Sequence, residues 1–183
     1  FGDRAARAEV VYNGFDHEDL SPKEEITTDH FCLEYIGNLK PNQNVEALYE
    51  AIGELVNEHT DFADDFRLNY TGNADQYLLD KMCNNFGLKS LVNVFPYVQH
   101  LDAVKRMAQA NLLLFIIPRA ENNRLIITGK LFEYMASGTP LLSIGPIDGD
   151  AAQLIKEGNR GVMLDYLDKD GIKAELMKNY SIW

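Results

Sequence analysis

Residues 112–142 read LLLFIIPRAENNRLIITGKLFEYMASGTPLL, and the order of their parts decides the fold. The run LLLFII at 112–117 is wholly apolar, as expected of a central parallel strand covered on both faces. A polar loop, RAENNRLIIT, follows at 119–128. Residues 129–137 then read as a helix, Gly138 stops it, and 140–143 return as a buried strand. Strand, helix, strand in that rhythm is a right-handed βαβ unit in a parallel sheet. Working outward, strands are expected at 31–37, 66–71, 91–95 and near Val162. Helices are expected at 45–59, where Val45, Leu48, Ile52, Leu55 and Val56 form a stripe, and at 75–86, where Leu78, Leu79, Met82 and Phe86 do. Further helices are expected at 101–110, 150–157 and 170–177. The fold class is α/β: a doubly wound, Rossmann-like parallel sheet with helices on both faces. Ligands of such sheets bind at the carboxyl ends of the strands, where the 119–128 loop lies.

The start of the motif helix carries chemistry. A helix N-terminus presents unpaired N–H groups and about half a positive charge, which attracts anions such as phosphate. Lys130 adds a cation that does not help the helix dipole. Glu133, about one turn on, shares its face. A carboxylate there can accept two hydrogen bonds from a vicinal diol such as a ribose, each worth roughly 1.5–3 kcal/mol. One short segment therefore offers a phosphate site beside a sugar-hydroxyl site.

This segment resembles the donor-binding segment of the retaining GT-B glycosyltransferases of family 4, the glycosyl transferases group 1. There the second Glu of a Glu-x7-Glu motif opens a helix followed by A-x-G-x-P. Glu133, Ala136, Gly138 and Pro140 match. The variant N-x-x-x-x-[PT]-G-K-x-F-E-Y, at 123–134, is similar to a subgroup common in bacterial polysaccharide synthesis. VVYNGFD at 10–16 resembles the segment that leads from the interdomain crossover into the donor domain. The resemblance implies residues 1–30 as an interdomain-proximal N-terminal segment and 31–183 as a nucleotide-sugar donor-binding domain. The N-terminal acceptor domain is then absent from this chain.

The resemblance also implies roles. Glu133 would hold the ribose, and Lys130 with Thr128 and Gly129 at the helix entry would meet the diphosphate. The first Glu of the motif would fall at Leu125, so its literal form is broken. Glu121 is the nearby carboxylate for the donor sugar, and Arg124 the nearby cation for a phosphate. Glu121 and Lys130 are the expected catalytic residues. IGNLKPNQNV at 36–45 resembles the family's G-R-L-x-x-x-K turn, with Gly37 kept for close backbone approach. Asn38 and Gln43 stand where the family has its diphosphate-binding Arg and Lys, leaving Lys40, Lys130 and Arg124 to take their place. FPYV at 95–98 resembles the segment whose backbone reads the nucleobase, which puts Tyr97 and Val98 at the donor. Gly72 and Asn73 resemble a G-x-G turn passing beneath the nucleotide, with one Gly present.

Composition sets the limits. At 183 residues, 46% hydrophobic and 25% charged, the chain suits one globular domain that buries about 70% of its unfolded surface. The net charge of −11 argues against general nucleic-acid binding. No apolar run reaches the ~18 residues of a membrane span. Cys32 and Cys83 fall on a predicted strand and helix, as reduced core residues. The four histidines lack metal-ligand spacing, so no metal or cofactor is expected. Residues 124–131 lack the first Gly and the final Ser or Thr of a phosphate loop. The family needs no metal, and the substrate implied is a UDP- or GDP-linked sugar. The resemblance implies a glycan or lipid-linked acceptor held by the missing domain. It also implies a cytoplasmic location at the inner face of the plasma membrane, with peripheral membrane association of the full-length protein. Two other readings stand beside this one: a catalytically degenerate nucleotide-binding or interaction domain of the same fold, and a GT-B-like nucleotide-sugar epimerase.

Overall fold

The computed structural model describes residues 28–183. The expectation for residues 10–16 lies outside them. Six strands form one parallel sheet: β1 (Phe31–Ile36), β2 (Phe66–Thr71), β3 (Val92–Phe95), β4 (Leu112–Ile116), β5 (Leu141–Ile144) and β6 (Met163–Leu164). The helices are α1 (Glu46–Glu58), α2 (Thr60–Asp65), α3 (Gln76–Phe86), α4 (His100–Gln109), α5 (Gly129–Ala136), α6 (Asp150–Glu157) and α7 (Lys169–Ile182). Strand order is β3-β2-β1-β4-β5-β6. The chain winds outward from β1 to β3, crosses back through α4, and winds the other way from β4. The order reverses between β1 and β4, and that switch point is where a crevice opens.

β4 is buried along its whole length and divides its side chains between two cores. Leu112, Leu114 and Ile116 join α1, α3 and α7. Leu113, Phe115 and Ile117 join α4, α5 and α6. This is the reason the run carries no polar residue.

The differences from the expected elements have local causes. α2 is new: six residues, TDFADD, with Phe62 as the one buried side chain, too short for a periodic stripe. β5 starts at Leu141, because Pro140 has no N–H to give, although its carbonyl accepts from Leu113. Val162 is exposed, and β6 begins at the next residue. α7 runs five residues beyond 177. Its last turns bury Asn179, whose side chain bonds back to Glu175, and set Tyr180 edge-on to Phe31 and Phe62. A buried Asn and an edge-packed Tyr do not register as an apolar stripe.

Candidate functional site

At the switch point two glycines and a lysine meet. Gly37 ends β1 with φ +125° and gives its N–H to Thr71 O at 2.8 Å. Gly72 ends β2 with φ +122° and gives its N–H to Phe95 O at 3.0 Å. A Cβ on Gly72 would lie 2.5 Å from the Gly37 carbonyl oxygen, and one on Gly37 would lie 2.7 Å from Lys130 Nζ. Positive φ calls for glycine at both positions; at Gly72 the approaching backbone also leaves no room for a Cβ, whereas at Gly37 the neighbour is the tip of the Lys130 side chain, which can move aside. Leu39 N–H continues the pairing to Asn73 O at 2.8 Å, and Asn73 Nδ2 donates to Asn38 Oδ1 at 3.1 Å.

α5 supplies the lysine from the first turn of the helix. Tyr134 is fully buried, and its hydroxyl accepts from Ile36 N–H at 2.9 Å, which fixes α5 over the end of β1. Lys130 Nζ then lies 4.0 Å from the Tyr35 ring centroid. Burial pulls its ammonium down to about 8, against the pull of the Glu133 carboxylate. A cation held beside a glycine backbone, partly stripped of water, is poised for an anion. Glu133 is half-buried on the same helix face. Thr128 is the N-cap of α5, but its side chain makes no capping bond. Its Oγ1 is buried with no hydrogen-bond partner, and Gly129 beside it is exposed.

The turn after β1 places its other residues differently. Gln43 Nε2 donates to Ile116 O at 3.0 Å, and its Oε1 accepts from Lys40 N–H at 3.2 Å. Its amide thus ties the turn to the end of β4. Lys40 is exposed. In the loop after β4, Glu121 is exposed at the surface, and Arg124 Nε pairs with Asp148 at 3.1 Å. Arg124 also lines a cavity of about 380 Å³ with Asp148, Asp165 and Tyr166, on the β5 and β6 side of the loop. Tyr97 and Val98 lie after β3, with Tyr97 74% exposed. The structure thus brings Gly37, Gly72 and Lys130 together at one crossing, with Asn38 bonded to Asn73 beside it and Glu133 one turn further along α5, and leaves Lys40 and Glu121 open to solvent.

Sequence reasoning missed three groups. Tyr35 and Tyr134 seat Lys130, yet as aromatics in a strand and a helix they look like any core residue. Glu34 is 4% exposed on β1 and accepts from Thr71 Oγ1 at 2.6 Å, with Arg106 Nη1 3.9 Å away. Burial pushes its carboxyl up, while Thr71, Asn69 and Arg106 oppose that push. The signal available was a lone Glu inside the apolar run FCLEYI. Among the described residues, no cluster of His, Cys, Asp or Glu suits a metal ion, and no helix is long and apolar enough to cross a membrane.

The comparisons with known proteins bear on the whole domain. A family model described as glycosyl transferases group 1 matches residues 31–180. No curated protein matches in sequence. Among solved structures, S. aureus TarM, a mutant in complex with fondaparinux, alpha-GlcNAc-glycerol and UDP, superposes with TM-score 0.70 at 13% identity. That match covers 98% of this chain and 34% of TarM. WaaG, a glycosyltransferase of lipopolysaccharide biosynthesis, superposes at 0.66 with 20% identity, over 85% of this chain and 39% of WaaG. The pneumococcal O-GlcNAc transferase GtfA, in complex with UDP and GlcNAc, gives 0.58 at 18% identity, over 82% of this chain and 28% of GtfA. The chain spans about a third of the length of these structures.

Proposed function

The chain belongs to the glycosyl transferases group 1, with the Rossmann-like fold of a GT-B domain, and from that premise we propose that it is the donor-binding domain of a retaining glycosyltransferase. The observation that carries this reading is the crossing of Gly37, Gly72 and Lys130 at the sheet's switch point. The diphosphate of a UDP- or GDP-sugar lies against the Gly37 backbone and the α5 N-terminus, with Lys130 as its cation. Thr128 Oγ1, buried and without a partner, gains a phosphate oxygen to bond. Glu133 accepts from the ribose hydroxyls. The donor sugar reaches toward the loop that holds Glu121 and Arg124, and the base toward Tyr97 and Val98.

Such a site needs no metal for its chemistry. Charge builds on the departing diphosphate, and a helix N-terminus with a fixed cation stabilises it in place. The departing phosphate assists attack of the acceptor hydroxyl from the same face, which retains configuration. The acceptor, a glycan or lipid-linked sugar, is held by a second domain. A cytoplasmic enzyme that meets its acceptor at the inner face of the plasma membrane fits this reading. This domain alone binds donor and hardly turns over.

A second reading, a degenerate domain of the same fold, is favoured by Gln43. Its amide is spent on Ile116 O and Lys40 N–H, so that place supplies no cation. Calorimetric titration with UDP, GDP, ADP and dTDP separates the two. The donor reading predicts that one nucleotide binds at micromolar to low-millimolar affinity and that Glu133→Ala weakens it about tenfold or more. Absence of binding by all four supports the degenerate reading.

A further inference from the structure

A buried carboxylate in the middle of β1 is unused by the donor site as described. Glu34 faces α4, and its charge is costly to bury unless it is paired and hydrogen-bonded. Thr71 Oγ1 gives it one hydrogen bond at 2.6 Å. Arg106 of α4 reaches both, with Nη1 3.4 Å from Thr71 Oγ1 and 3.9 Å from Glu34 Oε1. The same guanidinium lies over the Phe95 ring, its Cζ 4.6 Å from the centroid. Phe95 ends β3, and its carbonyl takes the Gly72 N–H. One side chain therefore links the buried acid of β1, the end of β2 and the end of β3.

The segment leaving β3 is FPYV, residues 95–98. Beyond Val98, Arg106 lines a cavity of about 430 Å³ together with Asp102, Lys105 and Gln109. A segment that reads a base through its backbone must hold its N–H and C=O groups to within about 0.5 Å. Tyr97 is largely exposed, so the segment draws little rigidity from its own packing. Arg is suited to the task, because a planar guanidinium bonds through its edge while stacking through its face.

We propose that Arg106 is a positioning residue, anchored by Glu34 and Thr71, that fixes the backbone of residues 95–98 against the nucleobase of the donor. This rests on the donor-site reading. It assigns Glu34 a role at a distance from the ligand, through Arg106 and the Phe95 ring.

The test compares a ligand with a base to one without. UDP and GDP are titrated into the whole chain, with inorganic pyrophosphate as the baseless probe. Arg106→Lys keeps the charge but loses the stacked edge-and-face geometry. It is expected to weaken the better-bound nucleotide about tenfold and leave pyrophosphate affinity unchanged. Equal weakening of both, or of neither, overturns the proposal and leaves the donor site standing. A native chain that binds neither nucleotide overturns the donor-site reading, and the proposal falls with it. Should Arg106→Lys lose its thermal unfolding transition, Phe95→Leu, which removes the ring and leaves the Glu34, Thr71 and Arg106 cluster, decides by the same readout.

Discussion

The two ends of the proposed donor site are built in opposite ways. At the diphosphate end, Gly37, Gly72 and Lys130 meet, the Gly37 backbone leaves no room for a Cβ on Gly72, and α5 is fixed over β1 by the Tyr134 hydroxyl. At the sugar end, the loop after β4 has Glu121 exposed and Arg124 in a surface ion pair with Asp148. The first end is set by backbone and buried contacts, so its geometry exists before a ligand arrives. The second is set by exposed side chains that water and salt can compete for. On the donor reading proposed above, that difference puts affinity in a preformed anion seat that serves any nucleotide sugar, and specificity in an open loop free to vary with the sugar.

The harshest way to break this contrast is at Gly72. Gly72→Ala forces a Cβ to 2.5 Å from the Gly37 carbonyl oxygen at φ +122°. A loss of about 3 kcal/mol or more in denaturant unfolding is expected, since strain and a backbone clash add. A loss below about 1 kcal/mol would show the crossing to be compliant. Glu133→Ala is expected to cost nucleotide affinity about tenfold while changing stability by less than about 0.5 kcal/mol, as for a half-buried helix residue. Calorimetry and a melt on the same sample check both.

Lys130 gives a pH dependence with a definite sign. Its folded pKa, about 8, lies below its ordinary 10.5, so the unfolded chain binds more protons between those values. Stability therefore rises with pH across that window, and the cost of the buried charge is full below pH 8. Anion affinity moves the other way: it falls as pH passes 8, toward tenfold per pH unit where only the charged form binds. Lys130→Met should remove both trends and weaken nucleotide binding at pH 7. The smallest effect is expected at the sugar end. Arg124→Ala should change stability by about 0–1 kcal/mol, in a salt-sensitive way, because its ion pair is exposed.

Legibility from sequence followed the same divide. β2 and α6 were readable to the residue, and the switch-point sheet was implied by LLLFII and the βαβ rhythm. Gly37 was readable because a turn of this kind restricts residue type, and its φ of +125° beside Lys130 agrees with that; Lys130 and Glu133 were read through the resemblance, for the roles proposed above. Tyr35, Thr71 and Arg106 were not. Tyr35 is 95 residues from Lys130, Thr71 is 37 from Glu34 and Arg106 is 35 from Thr71, separations that no local spacing encodes. Gln43 was read as a cation's replacement, and the structure shows what the amide does there: it ties the turn to β4. α2 escaped because a single buried Phe sets no period.

The central claim, that Lys130 at the glycine crossing is the cation of an anion site, is tested most directly by titrating that lysine. NMR of its side-chain methylene next to the ammonium gives its pKa in the free chain and with saturating UDP or GDP, whichever binds tighter. The account predicts a value near 8 in the free chain that rises when the nucleotide binds, because a diphosphate favours the charged form. A bound nucleotide that leaves the Lys130 pKa unchanged would contradict it.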